Sequence, residues 1–269
     1  MTDNSHLLFT IEDGVARLTL NKPEIHNAFD DVIIAEMLAA LTAIEQNPAV
    51  RVVVLGANGK HFSAGADLAW MKRMAQLDEQ QNRDDAHQLA ELMYRLNGLN
   101  KPTIALVDGA AFGGAVGLVA CCDMALATQR SRFCLSEVKI GLSPAVISPF
   151  VVTAIGERAA RRYFLTAEAF DASVANTLGL VHDVVSDQAA LEEKGQQLIA
   201  ALLKNSPQAI DKTKQLIQTV SRGETDQQRQ QSVRDYTVNL IAAIRVSEEG
   251  QEGLSSFLEK RQANWVKES

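Results

Sequence analysis

The chain has 269 residues, 46% of them hydrophobic and 22% charged, with a formal net charge of −7. That length holds one large core, or a core with a smaller appendage, and the balance is that of a folded globular protein rather than a disordered one. The negative charge opposes polyphosphate backbones, so no nucleic-acid partner is expected, and no apolar run nears the roughly 18 residues that span a bilayer, so no membrane is expected either.

The opening stretch MTDNSHLLFTIEDG has no basic segment leading into an apolar run. No secretory leader is therefore expected, and the cytoplasm is the expected compartment. Residues 7–12 and 15–20 alternate apolar and polar side chains and meet at Asp13-Gly14, a dipeptide that favours a tight hairpin. Asn21, Lys22 and Pro23 end the second strand. Val32, Ile33, Met37, Leu38 and Leu41 recur at helical spacing and predict an amphipathic helix over 30–44. β-Branched runs predict strands at 51–55 and 103–107, with helices between them at 67–77 and 86–96. This alternation predicts an α/β core with a largely covered sheet. From about residue 157 helical patterns dominate, at 157–165, 191–203, 207–220, 227–245 and 253–261; residues 181–185 form the only clear strand there. A core over 1–200 and a helical region over 201–269, suited to oligomerisation or to covering a site, is the expected organisation. Cys121, Cys122 and Cys134 show no metal-ligand spacing and read as small buried hydrophobes, so no metal is expected.

Three segments carry chemistry. HFSAGADLAWM (61–71) reads as a strand, a small-residue turn at Ala64-Gly65-Ala66, and a helix opened by Asp67. Small side chains let a ligand approach the backbone, and a helix start offers free N–H groups, though a simple capped turn has the same sequence. DGAAFGGAVGLVACCD (108–123) again runs from a strand through small residues into a helix near Gly114. Its glycines, Gly109, Gly113, Gly114 and Gly117, do not make the GxGxxG of dinucleotide sites, which disfavours a nicotinamide-dependent oxidoreductase. Two such turns are the parts of a two-donor oxyanion hole, while close helix–sheet packing accounts equally well for Ala110 and Ala115. FCLSEVKIGLSPAVISPF (133–150) sets Glu137 among apolar and small residues, where desolvation raises a carboxylate's pKa towards that of a neutral-pH acid or base. An exposed loop glutamate fits the sequence as well.

Taken together and in order, these segments resemble the enoyl-CoA hydratase/isomerase (crotonase) family over essentially the whole chain. NKPEIHNAF (21–29) is similar to its early N-[RK]-P-x-x-x-N-A loop and FLEKR (257–261) to its C-terminal signature. The resemblance implies a crotonase-like spiral of ββα repeats over 1–200. It also implies a helical C-terminal trimerisation region over 201–269, giving a homotrimer or homohexamer. The implied substrate is an acyl-CoA whose coenzyme A is part of the substrate, with no separate cofactor. The N–H groups of Ala66 and Gly114 would hold the thioester oxygen, and Glu137 would exchange the α-proton. Ala64, Gly65, Asp67, Gly113 and Gly117 would border the substrate, and Lys260 would lie near the CoA phosphates. An RNA-binding role known in the family is disfavoured by the net charge and by only 5% aromatic residues.

The sequence departs from the family pattern at one place. Two-glutamate hydratases carry their first glutamate twenty positions before the second, and here that position is Gly117. A double-bond isomerase needs only one base, so the missing carboxylate favours isomerisation. In contrast, GGAVGL and SEVKIGLSPAVISPF are similar to bacterial 3-methylglutaconyl-CoA hydratases. On that reading Gly117 opens space for a branched acyl group whose own carboxylate a resident glutamate would repel.

Overall fold

The computed structural model describes residues 5–74, 76–221 and 248–266. Strands β1 (Leu7–Glu12) and β2 (Val15–Leu20) form the expected hairpin, paired from Leu7–Leu20 to Glu12–Val15. Asp13 and Gly14 both have positive φ, 49° and 80°, as the tight turn requires. In chain order there follow α1 (Asp31–Gln46), β3 (Val52–Ala57), α2 (Leu68–Met74), α3 (Glu79–Gly98), β4 (Thr103–Val107), β5 (Ala110–Phe112) and α4 (Gly114–Cys121). The chain continues through β6 (Met124–Thr128), β7 (Arg132–Cys134), α5 (Ser148–Thr166), β8 (Phe170–Asp171), α6 (Ala172–Leu178), β9 (Asp183–Val185), α7 (Gln188–Leu203), α8 (Pro207–Val220) and α9 (Glu248–Glu259).

Six strands make the first sheet in the order β1-β2-β3-β4-β6-β9, parallel from β2 onward. A second, smaller sheet runs β5-β7-β8. Single bridges, Phe29 to Ala66 and Ser63 to Ala111, extend that second ladder towards the N-terminus. From β2 to α5, each turn of the chain lays one strand in the first sheet, one short segment along the second, and then a helix. This is the spiral of ββα units that the resemblance implies. Val52, Val53, Val54 and Leu55 are all buried, because a central parallel strand is covered on both faces. One face packs on α7 through Leu106, Leu191 and Ile199; the other meets the main core, which includes Leu18, Phe62, Met93 and Phe133.

Several boundaries differ from expectation. Helix α3 starts at Glu79 rather than 86, because Asp78 and Gln81 form a capping box ahead of the apolar stripe. The helix predicted at 157–165 is the second part of α5, broken at Gly156 with φ 77°. β8 adds a strand to the second half, so 181–185 is not the only one. The helix predicted over 227–245 lies outside the described residues. The three cysteines are buried, and burial pushes the Cys122 thiol up to about 12. Among the described residues no helix is long and apolar enough to cross a membrane.

Candidate active site

The site starts from Asn27, which is fully buried in the left-handed region (φ 54°). Its Nδ2 donates to the carbonyls of Asn58 and His61, both at 2.8 Å, and its Oδ1 accepts from the Lys22 N–H at 2.7 Å. These bonds fasten the 21–29 loop to the segment leading into the first small-residue turn. Phe29 then clamps that turn: its N–H donates to the Gly65 carbonyl at 2.7 Å, and its carbonyl accepts from Asp67 N–H at 2.7 Å. With both neighbours bonded towards Phe29, the Ala66 N–H points away from that strand.

The other small-residue turn is held the same way. Gly109 (φ 75°) passes so close to Lys60 that an added Cβ would stand 2.2 Å from its carbonyl oxygen, so only glycine fits. His61 Nδ1 accepts from Ala110 N–H at 3.1 Å; burial first, then the neighbouring His26 and Lys60, hold its imidazole below its ordinary pKa and so neutral. Gly113 (φ 54°) donates its N–H to the Cys134 carbonyl at 2.8 Å and turns the chain into α4. Gly114 is the first residue of that helix, where no intrahelical carbonyl is within reach of the N–H. Neither the Ala66 nor the Gly114 N–H donates to another group among the described residues.

Both residues line a cavity of about 270 Å³ together with Glu137. Glu137 opens a 3-10 turn, Glu137–Ile140, closed by Gly141 at φ 77°. Its Oε1 lies 3.3 Å from where a Cβ of Gly113 would be, so the carboxylate sits against the start of α4. Its Oε2 is buried with no hydrogen-bond partner. Burial raises the Glu137 pKa above the ordinary carboxylate value, opposed only by its own backbone N–H. Leaving a buried oxygen unpaired is costly. The arrangement can hold a negative oxygen on two backbone donors while one carboxyl moves a proton beside it.

The other expected site residues fall elsewhere. Ala64 and Gly65 spend their N–H groups on the His26 carbonyl and Ser63 Oγ, and shape the turn rather than line the cavity. Asp67 caps α2, its Oδ1 accepting from Trp70 N–H at 2.8 Å. Gly117 corrects the expectation most plainly: it is buried under Ile147, whose Cγ2 lies 2.3 Å from where a Cβ would stand. The room at this position is filled by protein, and Ile147, not Gly117, faces the cavity. Lys260 follows α9, is exposed, and is not among the cavity's lining residues.

Sequence reasoning missed Phe29, Trp70, Asp85, Leu89 and Ile147, all of which line the cavity. Trp70 lies one turn beyond Asp67 and Leu89 on the stripe that buries Leu92 and Leu96, so helical spacing could have found those two. Nothing local marks Asp85 or Ile147.

The enoyl-CoA hydratase/isomerase family model matches residues 10–268. A crystal structure of an enoyl-CoA hydratase from Shewanella pealeana is 51% identical, with a TM-score of 0.92 over 97% of this chain and 96% of that one. The 2,3-dehydroadipyl-CoA hydratase of Escherichia coli is 30% identical over 96% of this chain and 97% of its own length. The trans-2-decenoyl-[acyl-carrier-protein] isomerase of Streptococcus mutans is 29% identical over 98% and 99%. With free donors on two small-residue turns, a glutamate with a buried unpartnered oxygen in the same cavity, and a match along nearly its full length, the chain belongs to the enoyl-CoA hydratase/isomerase family.

Proposed function

We propose that the protein adds water to, or removes it from, the double bond of a branched enoyl-CoA, with 3-methylglutaconyl-CoA the first candidate. The observation that carries the chemistry is Glu137 Oε2, buried and unpartnered in a cavity shared with two unoccupied backbone donors. As the thioester becomes an enolate, charge builds on its oxygen. The Ala66 and Gly114 N–H groups hold it, each worth about 100- to 1000-fold in rate in comparable sites. Glu137 exchanges the proton at the α-carbon. The acyl group is assigned on the likeness of GGAVGL and SEVKIGLSPAVISPF to methylglutaconyl-CoA hydratases, and a relative named for 2,3-dehydroadipyl-CoA hydration supports hydration within the family. The proposal includes a trimer or a pair of trimers, with Lys260 near the CoA phosphates.

A second reading, double-bond isomerisation by Glu137 alone, is favoured by Ile147 covering the position of the family's first glutamate. Mass spectrometry of the products from an acyl-CoA panel in H2 18O separates the two. Incorporated label is expected, fastest with 3-methylglutaconyl-CoA. An unchanged mass with a moved double bond would replace hydration by isomerisation.

A further inference from the structure

Hydration needs a group to take a proton from water and another to give one to carbon. Among the described residues lining the cavity, Glu137 and Asp85 are the only ionisable side chains. Asp85 lies on α3 in register with Leu89, Leu92 and Leu96, the stripe that faces inward. Asp85 itself is half-buried, at the cavity end of that stripe. Asp85 has no ion pair among the described residues, and no lysine or arginine lines the cavity. Its Oδ1 accepts from the Trp70 indole N–H at 3.1 Å. Trp70 is 6% exposed and commits its one donor to this bond. The amide of Asn82, one turn earlier, is engaged by the carbonyls of Leu77 and Asp78 and leaves Asp85 to Trp70.

Helix α3 also reaches the place where the family's first glutamate would stand. Met93, two turns beyond Asp85, brings its Cε within 3.3 Å of the Cβ position of Gly117, beside Ile147. The space of the absent glutamate is thus closed by Ile147 and α3, while α3 carries a different carboxylate into the cavity.

We infer that Asp85 is the second catalytic group, the base that takes a proton from the attacking water, and that Trp70 is its positioning residue. The inference rests on the hydratase reading above. The water oxygen bonds to the β-carbon as its proton passes to Asp85. The π pair moves into the enolate, whose charge rests on the thioester oxygen between the Ala66 and Gly114 N–H groups. The carbonyl re-forms as the α-carbon takes a proton from the neutral Glu137 carboxyl. Asp85 is left protonated and Glu137 ionised, and proton exchange with solvent resets both. One water is added and nothing is oxidised or reduced.

The test measures two reactions in the full-length protein: hydration of crotonyl-CoA and 3-methylglutaconyl-CoA, and exchange of the α-hydrogens of butyryl-CoA in D2O. Exchange needs only the donors and Glu137. Asp85→Asn should lower hydration at least ~100-fold and leave exchange within ~3-fold of the parent, whereas Glu137→Gln should lose both. Trp70→Phe, which keeps Asp85, should lower kcat for hydration by roughly 10-fold with little change in KM and should shift the acid limb of the kcat–pH profile. Hydration by Asp85→Asn within ~3-fold of the parent, or loss of exchange as deep as the loss of hydration, would overturn the assignment. If Asp85→Asn does not fold, an unchanged kcat–pH profile in Trp70→Phe overturns it instead. A parent that exchanges butyryl-CoA but hydrates neither enoyl-CoA removes the hydratase reading and this inference together.

Discussion

Gly114 and Gly117 lie one turn apart on α4, and the structure uses them in opposite ways. A Cβ on Gly114 would meet nothing within 4 Å, whereas one on Gly117 would run into Ile147 and Met93. The first glycine leaves a backbone donor open at the edge of a cavity. The second lets two pieces of protein close on each other. In sequence the two are the same letter in the same motif, and only the fold separates an approach kept for a ligand from one taken by a side chain.

The contrast predicts which changes damage chemistry and which damage packing. The largest effect is expected from Glu137→Gln beside Gly114, with turnover falling at least ~100-fold. The variant should be no less stable than the parent. Because burial raises the Glu137 pKa, its contribution is fully present below the ordinary carboxylate value of about 4.3 and is lost as pH rises through the raised one. The Tm of Glu137→Gln should therefore gain on the parent as pH rises across that window, and a constant difference would contradict the burial argument. Next comes Gly114→Pro, which deletes the donor at a helix position that accepts proline and should lower kcat about 100- to 1000-fold with the helical circular dichroism intact. Retained turnover would move the oxyanion elsewhere.

Smaller effects test the packing side. Gly117→Ala should cost about 1–3 kcal/mol in denaturant unfolding, with Ile147→Ala in the same chain recovering part of it. Unchanged stability would mean that the room beside Gly117 is open after all. Gly114→Ala should have the smallest effect and the opposite sign, gaining about 0.4–1 kcal/mol through the unfolded chain. A loss like that of Gly117→Ala would erase the distinction between the two glycines.

The elements legible in the sequence were those long enough to show a period or marked by a turn residue. The β1–β2 hairpin announced itself at Asp13-Gly14, β4 by its β-branched run, and α8 by helical spacing over its whole length. The second sheet was not legible, because β5 and β7 have three residues each and β8 has two, too few for alternation to appear. Yet that sheet aligns the two turns carrying Ala66 and Gly114. Glu137 was found because a carboxylate among apolar residues is conspicuous. Asp85 was not, since it sits in the polar run EQQNRDDAHQ and its inward direction is fixed only by leucines further along α3. The space that the sequence suggests at Gly117 is absent, because Ile147 fills it. Whether a glycine makes a space or fills a gap depends on Ile147, thirty residues away on a loop with no pattern of its own.

Of the three bonds of Asn27, one stays within its own loop at Lys22 and two cross to Asn58 and His61, in the stretch before the first small-residue turn. The same loop carries Phe29, which clamps the Gly65–Asp67 turn and leaves the Ala66 N–H facing outward. The direction of the Ala66 N–H thus depends on this loop being closed. Partial opening near Asn27 would silence the enzyme well before its core melts, so heat inactivation should run ahead of global unfolding by a margin set at a residue that touches no substrate.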